Sequence, residues 1–178
     1  MRPMGSRSSL RAVEVVSSEV KHWTALIDKL GKRASWEGAL AASQEMRECG
    51  VRPDVFTYTA IISACSKDRR WACALYILHE IAGCGLLPDA VIHNATIKAC
   101  ERGRQWRHAL ELFAQMHLQR IGVEVASYNA SISACAKSGL WIRAFHLLNE
   151  MRRSGLQPNV VTYSALISAC EKGGRRYA

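Results

Sequence analysis

The chain has 178 residues, 49% of them apolar, and 24 Lys and Arg against 15 Asp and Glu give a net charge of +9. No run of about 18 apolar residues exists, which excludes a conventional membrane-spanning helix, and no small-molecule chemistry is implied by composition. The basic excess favours a polyanionic partner, nucleic acid or an acidic surface, without specifying any sequence.

The opening segment, Met1–Glu19, carries Arg2, Arg7 and Arg11 with Ser6, Ser8 and Ser9 and no acid before Glu14. Such a composition fits an organelle transit peptide, with a disordered tail as the alternative. From Val20 onward the sequence repeats. Trp36, Trp71, Trp106 and Trp141 lie 35 residues apart, as do Cys65, Cys100, Cys135 and Cys170, and Ile27, Ile62, Ile97, Ile132 and Ile167. A fixed period held by identical residues in several columns signals a stack of one supersecondary unit. The units are Val20–Asp54, Val55–Asp89, Ala90–Glu124, Val125–Asn159 and a truncated Val160–Ala178. The last is expected either to cap the stack or to continue into a longer array.

Within Val55–Asp89, Tyr58, Ile61, Ile62 and Cys65 recur three and four apart and predict a helix from about Phe56 to Ser66. Asp68, Arg69 and Arg70 interrupt it. Trp71, Ala74, Leu75, Leu78 and Ile81 mark a second helix, ended by Gly83, Gly85 and Pro88. No segment alternates as a strand does, so the fold class is all-α: an α-solenoid of stacked helical hairpins. The Ala columns, Ala60/Ala64 on the first helix and Ala39, Ala74, Ala109 and Ala144 on the second, let helix axes approach. The Trp and Ile columns are expected to fill the core between them.

The third unit departs from the pattern. Arg120 stands where the others have Gly50, Gly85 and Gly155, and Val123 where they have Pro53, Pro88 and Pro158, which predicts a second helix that runs on or ends differently before Glu124. The cysteine column is expected to stay reduced, because equivalent atoms of stacked helices lie roughly 9–10 Å apart and a disulfide needs Cα atoms within about 7 Å.

Segments such as VRPDVFTYTAIISACSK and LQPNVVTYSALISACEK, joined by WRHALELFAQM, resemble the pentatricopeptide repeat in unit length, Pro-Asp ending, Thr-Tyr opening and Ala-Leu second helix, from Val20 to Ala178. The resemblance implies a right-handed superhelix binding single-stranded RNA along the first helices, one base per unit and parallel to the chain. It also implies that the fifth and last residues of each unit read a base: Thr24 with Asp54, Thr59 with Asp89, Asn94 with Glu124, and Asn129 with Asn159, leaving Ser164 without a partner. The second residues, Lys21, Phe56, Val91, Ala126 and Val161, would clamp the base, and Phe56 can stack on it. By the same resemblance the core site is 5′-GGNC-3′, with the third base undefined because Glu124 is not a usual partner.

Independent chemistry is consistent with these roles. The fifth-place residues are all short and hydrogen-bonding, and share a stripe with places two, nine and twelve, for example Phe56, Ser63 and Ser66, opposite the core stripe. A carboxylate accepts from an imino N–H, whereas an amide can also donate. Asp or Asn between Pro and a helix start is equally an N-cap, and Thr57, Ser127 and Thr162 suit capping. A basic column, Lys32, Lys67, Arg102, Lys137 and Lys172, ends every first helix. It offers phosphate contacts and compensates the helix dipole.

The sequence contains no HExxH, Walker loop, nucleophile elbow or zinc-deaminase signature, and its histidines never share a column, so no enzyme, metal or cofactor is expected. The rival reading is a scaffold whose concave face holds a protein or peptide, but such a groove should show larger or varied fifth-place residues. With four complete units, useful affinity is expected to need further repeats or partner proteins. The resemblance implies action in organellar RNA processing, stability, editing or translation, in mitochondrion or chloroplast, with the cytoplasm as the alternative.

Overall fold

The computed structural model describes residues 6–33 and 35–174, and these form nine α-helices with no strand among them. They are α1 (Ser6–Lys32), α2 (Trp36–Glu48), α3 (Val55–Lys67), α4 (Trp71–Gly83), α5 (Ala90–Arg102), α6 (Trp106–Leu118), α7 (Val125–Lys137), α8 (Trp141–Arg153) and α9 (Val160–Gly174). The helix predicted for Phe56–Ser66 is α3, longer by one residue at each end. Residues 1–5, including Arg2 of the suggested transit segment, lie outside the described residues, and the backbone is helical from Ser6.

The odd-numbered helices pack side by side in order, α1 on α3, α3 on α5, α5 on α7 and α7 on α9, while each even-numbered helix rests on the odd helices before and after it. The result is a two-layered helical solenoid. Its core repeats with the sequence: Ile27, Ile62, Ile97 and Ile132 are fully buried, as are Ala39, Ala74, Ala109 and Ala144 and, at one further place, Met46, Ile81, Met116 and Met151. Small residues set the spacing of the inner layer. A Cβ on Gly31 would lie 3.0 Å from the Ala64 Cβ, so α1 and α3 approach closely toward their C-terminal ends.

Two expectations need correction. The tryptophans do not fill the core but border it: Trp36, Trp71 and Trp106 are half-buried and pack against it, and Trp141 is exposed. Each starts an even helix at the rim of the stack, and polar groups of the following unit cover the first three. The Arg70 guanidinium lies 5.0 Å from the Trp36 ring centre and that of Arg143 4.7 Å from Trp106, while His108 tilts on Trp71 at 5.2 Å. The third unit is also regular. Its second helix has 13 residues like those of units one, two and four. Arg120 takes the left-handed conformation (φ 55°) that Gly50, Gly85 and Gly155 take elsewhere. The Ile121 N–H closes the turn on the Met116 carbonyl at 2.9 Å, as Val51 closes on Met46 at 3.0 Å. Those bonds offset the roughly 1–2 kcal/mol that this conformation costs a residue with a Cβ.

The Ile column ends at α9. Ile167 is 62% exposed and Tyr163 44%, although Ile132 and Tyr128 one unit earlier are fully buried. In earlier units that face is covered by the second helix of the same hairpin. All cysteines among the described residues are free thiols. Burial pushes Cys65 and Cys100 up to about 12 and Cys135 to about 11, so these three remain protonated and unreactive at neutral pH.

Candidate nucleic-acid interface

Helix starts position the residues in question. In units one, two and four a Pro-Asp or Pro-Asn ending holds the last residue extended just before an odd helix, where orphan N–H groups need acceptors. Asp54 Oδ1 accepts from the Thr57 N–H at 2.8 Å, Asp89 Oδ1 from Ile92 at 2.9 Å and Asn159 Oδ1 from Thr162 at 3.2 Å. At Glu124 a capping box forms, with Ser127 Oγ accepting from the Glu124 N–H at 3.2 Å, as Thr162 Oγ1 accepts from the Asn159 N–H at 3.1 Å. The last residues of these units are therefore N-caps, or sit at that position, each leaving part of its polar group free of the cap.

The fifth residues lie one turn into the same helices. Thr24, Thr59, Asn94 and Asn129 are half-buried between adjacent odd helices, and Ser164 is exposed on α9. The second residues all reach the surface: Lys21 and Ala126 are exposed, as are Phe56, Val91 and Val161, Phe56 to 75%. Second and fifth residues of neighbouring units share grooves. One groove of about 620 Å³ between α1 and α3 is lined by Lys21, Thr24, Asp54 and Phe56. Another, of about 460 Å³ between α5 and α7 and reaching α9, is lined by Asn94, Ala126, Asn129 and Val161, with Lys98 and Glu101 on its wall. The first groove lies away from the close contact of Gly31 with Ala64, whereas the second runs along α5 as far as Glu101.

Burial narrows the expected free stripe. Ser63 and Ser133 at place nine are half-buried, but Ser66 and Ala136 at place twelve are buried, and in that place only Glu101 of the third unit lines a groove.

The suggested fifth-and-last pairs are not equivalent. Asn129 Nδ2 donates to Asn159 Oδ1 at 3.2 Å. Thr24 meets Asp54 indirectly, through Thr57: the two hydroxyl oxygens are 2.9 Å apart and Thr57 Oγ1 donates to Asp54 Oδ1 at 2.7 Å. Thr59 donates back to the Val55 carbonyl at 2.7 Å, as Thr24 does to that of Val20 at 2.8 Å, but makes no link to Asp89. Asn94 Oδ1 is buried with no hydrogen-bond partner.

The basic column is partly committed within the protein. Lys32 pairs with Asp28 at 2.7 Å and Lys137 with Glu101 at 2.8 Å, while Lys67 donates to the Gly31 carbonyl at 3.1 Å, capping the end of α1. Arg102 is half-buried at the end of α5 and Lys172 is exposed on α9. Sequence reasoning missed Lys98 and Glu101, because it attended only to columns and both are departures from one. It also missed the link that Thr57 and Thr162 make to a neighbouring unit, although a hydroxyl at place three recurs as Thr57, Ser127 and Thr162 and lapses at Ile92. Among the described residues no cluster of His, Cys, Asp or Glu could hold a metal ion, and no helix is long and apolar enough to cross a membrane.

Comparison with known proteins agrees with this architecture. A model described as the PPR repeat family matches residues 19–67 and 123–172, and one described as the PPR repeat matches residues 56–86 and 91–121. No curated protein matches. Among solved structures, the pentatricopeptide repeat protein PPR10 in complex with an 18-nt psaJ RNA element is 29% identical, with a TM-score of 0.78 over 88% of this chain and 23% of that one. PPR10 from maize is 28% identical, with a TM-score of 0.71 over 86% of this chain and 22% of that one. The PPR domain of Arabidopsis thaliana protein-only RNase P 1, in complex with tRNA, shares the fold at 16% identity, with a TM-score of 0.73 over 89% of this chain and 84% of that domain. The chain thus spans under a quarter of the length of PPR10.

Proposed function

The chain belongs to the pentatricopeptide repeat family, and on that premise we propose that it binds single-stranded RNA along its odd-numbered helices, one base per unit, by occupancy rather than catalysis. The observation that carries this reading is the pairing of Asn129 with Asn159 beside a groove lined by Ala126 and Val161. A fifth and a last residue held together at the edge of an open groove flanked by second residues can present their remaining polar atoms to a single base edge. The resemblance to PPR10 bound to RNA supports the same ligand class.

In this reading Thr24/Asp54 and Thr59/Asp89 each take guanine and Asn129/Asn159 takes cytosine, giving 5′-GGNC-3′, with the base facing Asn94/Glu124 left open. Phe56 stacks on a base, and base–aromatic stacking contributes about 1–3 kcal/mol. Arg102, Lys67, Lys172 and Lys98 supply charge toward the backbone. Lys32 and Lys137, paired with acids, supply less. The Arg- and Ser-rich start supports work on organellar transcripts, in mitochondrion or chloroplast, where occupancy alters RNA processing, stability, editing or translation.

Selection from a random single-stranded RNA pool tests this reading. Enrichment of GG-N-C in the order of the units is the expected result, and Asp89→Asn should move the second base alone from G to A. Absence of any enriched motif, or capture of peptides in preference to RNA, would reject it.

A further inference from the structure

We propose that the third residue of each unit is a positioning residue for the reading pair of the preceding unit: a Thr there ties the fifth and last residues into one hydrogen-bonded set, and an aliphatic residue leaves them independent. The inference rests on the base-reading roles proposed above, and it assigns a specificity role to residues that never reach the groove.

Thr57, fully buried, shows how the tie works. Its N–H and its hydroxyl both donate to Asp54 Oδ1, at 2.8 and 2.7 Å, which leaves Oδ2 for a ligand. A hydroxyl has one proton, and that of Thr57 is spent on Asp54. Thr24 Oγ1, 2.9 Å away, can then only donate to Thr57 or to the Val20 carbonyl at 2.8 Å. Either way the Thr24 proton points inward, and Thr24 and Asp54 both offer the groove acceptors alone. Guanine presents N1–H and N2–H₂ donors to such a pair, whereas the N1 of adenine would meet lone pairs.

At the fourth unit Thr162, also fully buried, produces the opposite polarity. Its hydroxyl lies 2.5 Å from Asn129 Oδ1 and 3.2 Å from Asn159 Oδ1, and Asn129 Nδ2 donates to Asn159 Oδ1. Both amide oxygens are thereby occupied inside the protein. What remains for the groove is N–H: the second proton of Asn129 Nδ2 and those of Asn159 Nδ2. A donor-only pair suits N3 and O2 of cytosine and meets a like donor in the N3–H of uracil.

The second unit has the same nominal pair as the first without the tie. Its third-place neighbour is Ile92, so Asp89 Oδ1 accepts only from a backbone N–H, and Thr59, which bonds the Val55 carbonyl just as Thr24 bonds that of Val20, has no hydroxyl to link it to Asp89: the polarity is the same but the two side chains are not held together. At the third unit Ser127 accepts from Glu124, and Asn94 Oδ1 stays unpartnered. Equal residues at places five and last consequently do not give equal stringency: the first base is held to G more strictly than the second.

The experiment measures Kd for short RNAs carrying G or A at the first or second base, with the wild type and Thr57→Val, Thr57→Ser and Ile92→Thr, each checked for folding by thermal melting. One lost hydrogen bond corresponds to roughly a three- to tenfold change. Thr57→Val should lower the G-over-A ratio at the first base by about that factor and leave the second unchanged, and Thr57→Ser should restore it. Ile92→Thr should raise the ratio at the second base. Equal weakening of both RNAs by Thr57→Val, or no gain from Ile92→Thr, would overturn the positioning role. Asp54→Asn separates the two levels: if it switches the first base while Thr57→Val does nothing, only this inference fails, and if it too does nothing, base reading itself fails.

Discussion

Asp54 carries two jobs in this account, and they can be separated by substitution. Its Oδ1 caps α3 through the Thr57 N–H at 2.8 Å, and Oδ2 is left for a base. Asp54→Ala removes the cap, which costs about 1 kcal/mol, within a usual span of roughly 0.5–2. Thr57, although buried, keeps Thr24 as a hydrogen-bond partner at 2.9 Å, so no further desolvation cost is added. For a chain of this length 1 kcal/mol corresponds to a Tm change of about 2–4 °C. Asp54→Asn keeps an acceptor at Oδ1 and should lower Tm by under about 1 °C, since Asn and Asp cap almost equally. Its second atom, however, becomes a donor. A bond to a charged acceptor contributes about 1.5–3 kcal/mol, so the preference at the first base should move from G to A by tenfold or more. Differential scanning calorimetry and competition binding with RNAs differing at that base read the two effects separately. Should Asp54→Asn lower Tm as far as Ala does and leave base preference alone, Asp54 is a cap and nothing else.

The basic column should divide according to its partners. Lys67→Ala, removing a cation that faces only the Gly31 carbonyl, should weaken all RNAs alike and reduce the slope of log K against log salt by about 0.7. Lys137→Ala should change that slope less, because Glu101 already holds Lys137 at 2.8 Å. In thiol labelling at pH 8, Cys49, Cys84 and Cys170 should react quickly, and Cys65, Cys100 and Cys135 only on unfolding. Stability should also depend on alkaline pH. Burial raises Cys65 and Cys100 to about 12, so above pH 9 the unfolded chain releases protons that the folded chain retains. Stability is therefore full below about pH 9 and is lost as pH rises toward 12, which denaturant titrations across that range would register.

Much of the fold was written in the spacing of single residues. The columns of Ile27 to Ile132 and Ala39 to Ala144 placed the helix faces, and the Pro-Asp endings placed the helix starts, because periodicity and capping are local properties. Tertiary features were not accessible in that way. Arg120 broke a glycine column, yet the turn it closes is stabilised by backbone bonds that any residue can make at modest cost. The tryptophans counted as apolar, but Arg70 and Arg143 lie over their rings at the rim. Ser66 fell on the expected free stripe and is buried, which follows from the close packing of α1 on α3 at Gly31 and Ala64 and from no local pattern. In the candidate site the sequence identified which places matter but not which pairs touch: Asn129 meets Asn159, and Thr24 meets Asp54 only through Thr57. Glu101, which takes up Lys137 and Ser133, stands where Ser66 and Ala136 stand in the neighbouring units, so no shared residue type marked it.

The central claim is that units and bases correspond one to one, in order. It is tested most directly by measuring Asp54→Asn, Asp89→Asn and Asn159→Asp, each against RNAs varied singly at every position of 5′-GGNC-3′. Each variant should change preference at its own base only: the first for Asp54, the second for Asp89 and the fourth for Asn159. Changes that spread over several positions, or that appear at the same position for all three variants, would contradict it.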